Sequence, residues 1–397
     1  MHRQNQQVFI GAPVRTPIGK FGGGLSSLTS PELGAVSATA TINRAGIDPD
    51  QIDEVIIGIA RLAGVGPNPA RQIAFKAGCP ETVPAYSINM ACGSGLKSII
   101  SGFQTVALGD ANLILAGGSE SLSNAPYLLM QGRWGYRLGH SQVVDSMYRD
   151  GYLCPLCDEI MGETAENLAE KYGIPRTESD QYALLSQKRC RIAQENGRFA
   201  DEIVPVEVPL KKGAVKVIDT DEHPRPETTL EGLARLEPVF KEGGTVHAGN
   251  ASGITDGAAT VLVFSEQKRD ELNLNPVVRI VDTTIAGVDP SLMGIGPVPA
   301  VKNLLQRNNL HLSDIDLIEL NEAFAVQVLA CHKELDFDMD KVNVNGGAIA
   351  LGHPTGCTGT RITVTLLHEM VKRDATLGLA TLCVSGGMGV ALLVERV

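Results

Sequence analysis

The sequence is poor in aromatic residues and in positive charge, and it has no long apolar run. Phe, Trp and Tyr make up 4 % of the 397 residues, too few for the stacking platforms that bind single-stranded nucleic acid. The formal net charge of −11 opposes association with a polyanion. No stretch is long and apolar enough for a membrane span or a signal peptide. We therefore expect neither nucleic acid nor a membrane as partner, and a cytoplasmic location.

Cysteine is too sparse for a disulfide scaffold. Eight cysteines are scattered over the chain, a usage that fits a reducing compartment. Cys154 and Cys157 form a C-x-x-C motif, but no second pair and no histidines at ligand spacing lie nearby. A loop over the active site is therefore a better interpretation of this motif than a zinc or redox site, and we expect no bound metal.

What remains is a chain of ordinary globular composition. It is 43 % apolar and 20 % charged, and it exceeds the usual size of one hydrophobic core. Apolar segments of strand length alternate with helical segments, which predicts an α/β fold. The predicted strands include 55–58, 113–118, 317–320 and 379–384, and the predicted helices include 31–45, 95–108, 298–308 and 358–372.

The two ends of the chain carry similar features in the same order. Segments 47–56 and 310–319 each follow a helix, and a glycine-rich helix start with a cysteine lies about 40 residues beyond each. A strand that ends in paired glycines then follows in both halves. Three coincidences in one order predict duplicated halves.

The stretch 123–253 breaks this repeat and is interpreted as an insertion carried by the first half. It contains the only tryptophan and long polar helices. We therefore predict a first half of residues 1–122 with 254–276, an inserted loop domain of residues 123–253, and a second half of residues 277–397.

Cys92 lies in the block NMACGSGL (89–96), at the predicted first turn of a helix. Free N–H groups and the positive end of the helix dipole favour the thiolate, which is the nucleophilic form. The flanking glycines allow a ligand to approach the backbone. A small buried cysteine that fills a strand–helix turn is an equally good interpretation of this block alone.

Three further blocks carry groups suited to proton transfer or to polarisation. His353, in NGGAIALGHPTG (345–356), could act as a general base or merely satisfy loop carbonyls. Cys383 could move a proton at a strand end before a glycine turn, although a core cysteine is the better interpretation of that block alone. Asn321 follows the predicted strand 317–320, at the end where α/β proteins place reactive groups, and could hold a water or a carbonyl.

Together these blocks resemble the signature segments of the thiolase family, in the same order and over essentially the whole chain. Those segments are Asn-x-x-Cys-x-Ser-Gly, Asn-Glu-Ala-Phe, Gly-His-Pro and a C-terminal Cys-x-x-Gly-x-Gly. The nearest in appearance are acetyl-CoA acetyltransferases and 3-ketoacyl-CoA thiolases. The resemblance implies a thiolase fold: two duplicated βαβ-type halves in a layered α-β-α-β-α sandwich, with an inserted loop domain.

The resemblance also implies the reaction, a reversible Claisen condensation of two acetyl-CoA molecules or the thiolysis of a 3-oxoacyl-CoA. Cys92 would carry the acyl group, activated by His353, and Cys383 would move the proton at the α-carbon. His353 and a water on Asn321 would polarise the thioester oxygen of the second CoA substrate. The backbone N–H groups of Cys92 and Ser385 would form an oxyanion hole around the acyl-enzyme carbonyl.

Binding residues follow from the same resemblance. The side chains expected at CoA or at the acyl chain are Ser252, Arg225, Met161, Ala323 and Phe324. CoA thioesters are substrates, so no cofactor is implied. The segment Tyr127 to Asp145 is implied to join homodimers into a homotetramer.

Three positions depart from the family pattern. Ser385 replaces a glycine and would be strained at positive φ. Cys357 replaces an alanine and is interpreted as a packing residue, and Ile160 replaces a histidine found in short-chain enzymes. The acyl preference therefore stays open between acetoacetyl-CoA and longer 3-ketoacyl-CoA substrates of β-oxidation.

Two other classes remain as alternatives. A decarboxylating ketoacyl synthase would carry a Cys-His-His or Cys-His-Asn set, whereas this chain has a second cysteine, Cys383. A non-catalytic acyl-CoA-binding module would have lost one of the four candidate groups, and all four are present.

Overall fold

The computed structural model describes residues 6–397; the first five residues of the predicted segment 1–122 lie outside the described part. The strands are β1 (Val8–Arg15), β2 (Gly19–Lys20), β3 (Glu54–Gly58), β4 (Ala85–Ile88), β5 (Leu113–Ser121), β6 (Tyr127–Leu128), β7 (Val144–Asp145), β8 (Leu153–Cys154), β9 (Glu159–Ile160), β10 (Val206–Pro209), β11 (Val215–Ile218), β12 (Thr255–Ser265), β13 (Pro276–Gly287), β14 (Leu317–Leu320), β15 (Leu377–Val384) and β16 (Met388–Arg396). The α-helices are α1 (Ser30–Ala45), α2 (Pro69–Lys76), α3 (Ser94–Leu108), α4 (Met161–Tyr172), α5 (Arg176–Glu195), α6 (Leu230–Ala234), α7 (Glu266–Leu272), α8 (Pro297–Arg307), α9 (Ala325–Leu335), α10 (Ala348–Leu351) and α11 (Thr355–Arg373).

The eight segments predicted above are all present, with ends shifted by up to a few residues. Helix α1 illustrates why these segments form where they do. Its first turn is closed by a capping box, in which the Glu32 carboxylate accepts from the Thr29 backbone N–H at 2.8 Å. Its last turn is closed by Gly46, which adopts the left-handed conformation with φ 68°.

Four strands of each half have the same order and the same directions. One mixed sheet runs β4-β3-β5-β12-β1-β13-β16-β15-β14, and β2 pairs with β12. In the first half, β3 is parallel to β5, while β5, β12 and β1 are antiparallel neighbours. In the second half, β14 is parallel to β15, while β15, β16 and β13 are antiparallel neighbours. The predicted duplication is confirmed, and the half-sheets are joined edge to edge through β1 and β13.

Helices cover the half-sheets on both sides. Helices α1 and α2 pack on the first half-sheet, and α8 packs on β13 and β16 of the second, with α9 beside it. Helices α3 and α11 lie between the halves, and each contacts strands of both. The largest buried apolar cluster is formed around these two helices. This arrangement is the predicted α-β-α-β-α sandwich.

Helices α3 and α11 meet near their N-terminal ends, where each has glycine at the positions that face the other helix. A Cβ at Gly359 in α11 would overlap the backbone nitrogen of Leu96 in α3. A Cβ at Gly95 would lie 2.8 Å from the carbonyl oxygen of Gly356, nearer than real Cβ atoms approach an oxygen. The Thr360 hydroxyl donates to the Gly95 carbonyl at 2.9 Å. Because Cys92 precedes α3 and His353 precedes α11, this contact brings the two residues to one region.

Residues 123–253 contain β6 to β11 and α4 to α6, and their strands pair outside the main sheet. A buried arginine ties this stretch to the first half. The Arg15 guanidinium, on β1, contacts Glu202 at 2.7 Å and Asp221 at 2.7 Å, and all three side chains are buried. Removal of either acid would leave a buried charge without a partner. The three-part domain division itself stays a prediction.

The longest helices of the chain are α5, with 20 residues, and α11, with 19. Both carry charged residues along their length. Within residues 6–397, no helix combines the length and the apolarity that crossing a bilayer requires.

Gly359→Ala should destabilise the fold, because the added methyl group meets the backbone of α3 and not a side chain that could move. We expect the free energy of unfolding to fall by about 1–3 kcal/mol or more, as for other overpacked cores. Gly102→Ala, also buried and central, is the matched control, since its Cβ would lie 3.4 Å from Ile114 and 3.5 Å from Val263, ordinary contact distances. Denaturant midpoints measure the stability of both variants. Equal midpoints would contradict the backbone contact between α3 and α11.

Candidate active site

A cavity of about 600 Å³ lies where the insertion meets both halves. Its wall includes residues from the N-terminal part of the chain, from residues 148–240 and from the C-terminal part. Eight of the predicted catalytic and binding residues line it: Cys92, His353, Cys383, Ser252, Arg225, Met161, Ala323 and Phe324. Asn321 and Ser385 are not part of the wall, and their places are described below.

Cys92 lies on a strained turn between β4 and α3. The preceding residue, Ala91, has a φ of 45°, a left-handed conformation that is unfavourable for alanine. Two side chains hold the turn: Asn89 accepts from the Ala91 N–H at 3.0 Å, and the Ser94 hydroxyl donates to the Ala91 carbonyl at 2.6 Å. Helix α3 begins at Ser94, so Cys92 precedes the first turn in which the sequence pattern placed it.

The expectation of a thiolate at Cys92 is wrong for the free protein. Burial raises the pKa of the Cys92 thiol above its ordinary value. The positive charge of Arg61 and the backbone N–H groups of Ser385 and Cys92 itself act in the opposite direction, but they do not outweigh burial. The thiol is therefore neutral near pH 7, and a base must take its proton as it attacks.

Ser385 contributes its backbone at the Cys92 sulfur. Its N–H and the N–H of Cys92 both stabilise a negative charge there. The strain considered for Ser385 is absent, because the left-handed positions of this turn are Gly386 (φ 89°) and Gly387 (φ 83°). Serine therefore replaces glycine here without a backbone penalty.

His353 presents one free ring nitrogen. Its Nδ1 lies 2.6 Å from the Thr358 hydroxyl, and that hydroxyl donates to the Pro354 carbonyl at 3.0 Å. Because the hydroxyl has only one hydrogen, it must accept from Nδ1–H, which leaves the lone pair on Nε2. Nε2 is buried and has no hydrogen-bond partner among the described residues. The ring is thus held in the tautomer that a general base at Nε2 requires.

The protonation state of His353 agrees with this geometry. Burial, with the charges of Arg361 and Arg61, lowers the pKa of His353 to about 3. The imidazole is therefore neutral at any pH above this value. Near pH 7 the site holds a neutral thiol and a neutral imidazole, not an ion pair.

Cys383 lies at the end of β15 and is 1 % exposed. Burial raises the pKa of this thiol well above its ordinary value, and the neighbouring Cys92 raises it further. The two sulfurs are thus close enough to influence each other. Cys383 also packs with Met161 and Phe324, in a cluster where Phe240 meets the Phe324 ring edge-on at 6.5 Å.

Asn321 follows β14 and is buried, and neither its side-chain oxygen nor its side-chain nitrogen has a partner within the described residues. Buried amides in proteins are almost always satisfied, so this one fits a place for an ordered water or a ligand oxygen. The neighbouring Glu322 fixes its position. The Glu322 carboxylate accepts from Tyr182 at 2.8 Å, from Ser186 at 2.7 Å and from the Ile349 N–H at 3.0 Å.

The loop before β12 connects the Asn321 and His353 blocks. The Ser252 N–H donates to the Ala323 carbonyl at 3.0 Å, and the Gly253 carbonyl accepts from the His353 N–H at 2.9 Å. Ser252 thereby lies between two blocks that are distant in sequence. Arg225 and Lys20 are exposed residues of the cavity wall, so they bring positive charge to its mouth.

Four residues of the site were not singled out from the sequence: Arg61, Glu120, Tyr152 and Thr358. Arg61 and Tyr152 line the cavity, Thr358 orients His353, and Glu120 accepts from Thr355 at 2.8 Å and from the Gly356 N–H at 2.8 Å. A signal existed for Arg61, which follows the buried strand β3 as Asn321 follows β14.

The C-x-x-C motif lies beside the cavity, on the β8–β9 hairpin. Cys154 is buried and Cys157 is half-buried, and both pack with Met161. Within residues 6–397 no three His, Cys, Asp or Glu side chains are grouped as a metal site would need. Cys357 is buried in the central core, as its interpretation as a packing residue required.

The duplicated halves, with two thiols and an imidazole at one cavity, are typical of an α/β enzyme. Comparison with known families gives a more specific answer: the N-terminal thiolase domain model matches residues 8–267 and the C-terminal thiolase domain model matches residues 274–396. The chain belongs to the thiolase family.

Individual relatives agree over nearly the full length. An acetyl-CoA acetyltransferase of Pseudomonas aeruginosa is 52 % identical over 98 % of this chain and 100 % of its own. The crystal structure of the Bacillus anthracis acetyl-CoA acetyltransferase superposes with a TM-score of 0.97 at 46 % identity, over 99 % of both chains. Human mitochondrial 3-ketoacyl-CoA thiolase in complex with CoA gives a TM-score of 0.95 at 44 % identity, over 99 % of this chain and 98 % of that one.

Thr358→Val should impair the base without changing the volume of the side chain. Without the hydroxyl, Nδ1–H loses its acceptor and the other tautomer becomes available, so acylation of Cys92 by acetyl-CoA should slow by roughly 10- to 100-fold. Thr358→Ser keeps the hydroxyl and should stay within a few-fold of the parent. Single-turnover acylation rates, with melting temperatures as a check on folding, measure both; equal rates in the two variants would contradict the tautomer argument.

Proposed function

We propose that this chain catalyses acyl transfer between CoA thioesters, by reversible Claisen condensation of two acetyl-CoA molecules to acetoacetyl-CoA or by thiolysis of a 3-oxoacyl-CoA. One observation carries the proposal: Cys92, Cys383 and the unpartnered Nε2 of His353 are all found at one cavity of about 600 Å³. Thiolase membership and the full-length likeness to acetyl-CoA acetyltransferases support it.

In the thiolysis direction, His353 Nε2 takes the proton of the Cys92 thiol as the sulfur attacks the 3-oxo carbon. The bond between C2 and C3 breaks, and its electron pair becomes the enolate of acetyl-CoA. Cys383 gives this enolate a proton. The sulfur of a second CoA then attacks the acyl group and gives its proton to the Cys383 thiolate. The protonated His353 returns its proton to the Cys92 sulfur as the acyl group leaves, so all three groups are regenerated.

Two sites stabilise the negative charges of this reaction. The N–H groups of Cys92 and Ser385, which act together at the Cys92 sulfur, suit the oxyanion that forms on the acyl group. His353 Nε2, once protonated, and a water on the unpartnered Asn321 amide suit the enolate oxygen. His353 and Asn321 are buried, and the low dielectric of such surroundings strengthens each hydrogen bond to a developing charge.

The insertion and its loops would bind CoA. Of the residues that line the cavity, Ser252 would lie near the pantetheine and Arg225 near the adenine, and the positive charges of Arg225 and Lys20 at the mouth suit an anionic ligand such as CoA. Met161, Ala323 and Phe324 give the interior an apolar surface for the acyl chain. We propose no bound cofactor, a cytoplasmic location and a role in fatty acid metabolism.

A longer-chain 3-ketoacyl-CoA thiolase is the second candidate. The likeness to the human mitochondrial 3-ketoacyl-CoA thiolase, and an isoleucine at position 160 on the cavity wall, favour it. A decarboxylating ketoacyl synthase is disfavoured by the second thiol, Cys383. Thiolysis rates for 3-oxoacyl-CoA substrates of increasing length, from four carbons upward, separate these candidates.

Cys92→Ser should abolish thiolysis, with a loss of at least about 1,000-fold, while the fold remains intact. Cys79→Ala is the matched control, because Cys79 is a buried cysteine of the core behind α2, away from the cavity. Cys383→Ser should slow condensation while acyl transfer to Cys92 persists. Mass spectrometry of the acyl-enzyme and steady-state rates measure these effects. Near-normal turnover by Cys92→Ser would refute the nucleophile assignment.

We propose a homodimer or homotetramer, with residues 127–145 as the segment that joins dimers. The segment carries large apolar side chains that are exposed in the single chain, among them Trp134 (87 %) and Leu138 (98 %). A group of large exposed apolar side chains within one short segment is typical of a protein–protein contact surface.

Trp134→Ser with Leu138→Ser should lower the mass of a tetramer to that of a dimer, measured by light scattering. The matched control is Ile192→Ser, an apolar side chain that is 51 % exposed on helix α5, outside this segment. A tetramer that survives the double substitution would contradict this assignment.

A further inference from the structure

Arg61 is a buried charge at the catalytic cavity. It follows β3 and is 6 % exposed, yet its side chain forms part of the cavity wall that also contains Cys92 and His353. Its charge opposes the rise that burial causes in the pKa of Cys92, and it adds to the lowering of the pKa of His353. This effect acts through charge alone, and the proposed acyl transfer gives the N–H donors of the guanidinium no partner. A cation in this position needs a reason, because burial of a charge is costly unless it is paired.

The hydrogen-bonding capacity of Arg61 is almost unused. In the described part of the chain, the only acceptor within reach is the Ala60 carbonyl, at 3.5 Å from Nη1. Nε is buried and has no partner, and no described Asp or Glu lies within 4 Å of the guanidinium. An arginine has five donors in a planar fork, so this one lacks an acceptor for most of them.

Glu120 does not fill this role. It is buried nearby and attracts Arg61 at a distance, but its oxygens are already occupied. They accept from the Thr355 hydroxyl at 2.8 Å and from the backbone N–H groups of Gly356, Ala60 and Arg61 at 2.8, 3.1 and 3.2 Å. Glu120 thus balances part of the charge and leaves the fork free.

The residues around Arg61 hold its guanidinium in one position. A Cβ at Gly151 would overlap the guanidinium, so only glycine leaves room for it there. The Tyr152 ring lies under the charge, at 5.7 Å from Cζ to the ring centroid. Gly151 and Tyr152 also line the cavity, so the guanidinium is held in its wall.

Arg61 also differs from the cations at the mouth. Arg225 and Lys20 are exposed, as suits the solvated phosphates of CoA, whereas Arg61 is buried beside the reacting thiol. A partner for Arg61 must therefore be an anionic group on the acyl part of the substrate. A carboxylate matches the planar fork with two parallel hydrogen bonds.

Resting on the proposed function, we infer that this chain acts on 3-oxoacyl-CoA substrates whose acyl chain ends in a carboxylate, and that Arg61 binds that carboxylate. In thiolysis, a 3-oxo-ω-carboxyacyl-CoA and CoA give acetyl-CoA and an ω-carboxyacyl-CoA. The bond between C2 and C3 breaks, the carboxyacyl group passes through Cys92 to the sulfur of CoA, and C2 gains the proton. The carboxylate stays ionised throughout, so no further reactant is needed.

The experiment compares matched substrates that differ only at the chain end: 3-oxohexanedioyl-CoA against 3-oxohexanoyl-CoA, and the corresponding pairs with seven and eight carbons. The measured quantity is the ratio of kcat/KM within each pair. Any effect of Arg61 on the Cys92 thiol acts on both members and cancels in the ratio.

The parent enzyme should prefer the carboxylate-ended member of at least one pair. Arg61→Leu should lower that ratio by roughly 30-fold or more, the effect of removing one partner of a buried, hydrogen-bonded charge pair. Arg61→Lys, which keeps the charge without the fork, should give an intermediate ratio. Arg225→Leu is the matched control, because a cation lost from the mouth should weaken both members alike and leave the ratio unchanged.

If Arg61→Leu does not fold, Gly151→Ala serves the same purpose, since the added methyl group displaces the guanidinium and should lower the ratio. The inference is overturned if no pair shows a preference for the carboxylate, or if the ratio survives the loss of Arg61. Turnover of the methyl-ended substrates alone would leave the proposed function standing. No turnover of any 3-oxoacyl-CoA, including acetoacetyl-CoA, would overturn both.

Discussion

The close contact between the N-terminal ends of α3 and α11 is the constraint on which the site depends. Without side chains at Gly95 and Gly359, the two helices approach to backbone contact, and the residues just before each helix are brought together. Cys92 and His353 come from opposite halves of the duplicated fold, so neither half could form the site alone. The same packing places the end of β15, with Cys383 and Ser385, beside the Cys92 sulfur.

Burial then determines the electrostatics of the site. Both thiols have raised pKa values and the imidazole a lowered one, so the three groups are neutral before substrate binds. Charge appears only during the reaction, where N–H groups and the protonated ring can stabilise it. Against this neutral background the Arg61 guanidinium is the exception, and its unused donors are the basis for assigning it a substrate carboxylate.

The insertion contributes by fixing the positions of the Asn321 and His353 blocks relative to each other. Glu322 ties the residues after β14 to helix α5 and to the loop before His353, and the Ser252–Gly253 loop connects the same two blocks through the backbone. Gly151 and Tyr152, which also belong to the insertion, pack against the Arg61 guanidinium. CoA binding and chemistry therefore share one framework, and a change in the insertion reaches the catalytic groups through hydrogen bonds.

The sequence by itself determined the α/β class, the duplication and the candidate catalytic and binding residues, because apolar periodicity, glycine turns and family motifs are local properties. Only the tertiary structure decided the protonation of Cys92, the tautomer of His353, the absence of strain at Ser385 and the place of Arg61. The tautomer of His353 and the backbone at Ser385 depend on near neighbours, Thr358 and Gly386, but the geometry is visible only in the folded backbone. The protonation of Cys92 and the place of Arg61 depend on segments far apart in the chain, as when Glu120 accepts hydrogen bonds from Thr355 and Gly356. Burial and long-range charge arise when such segments pack together, and no local pattern encodes them.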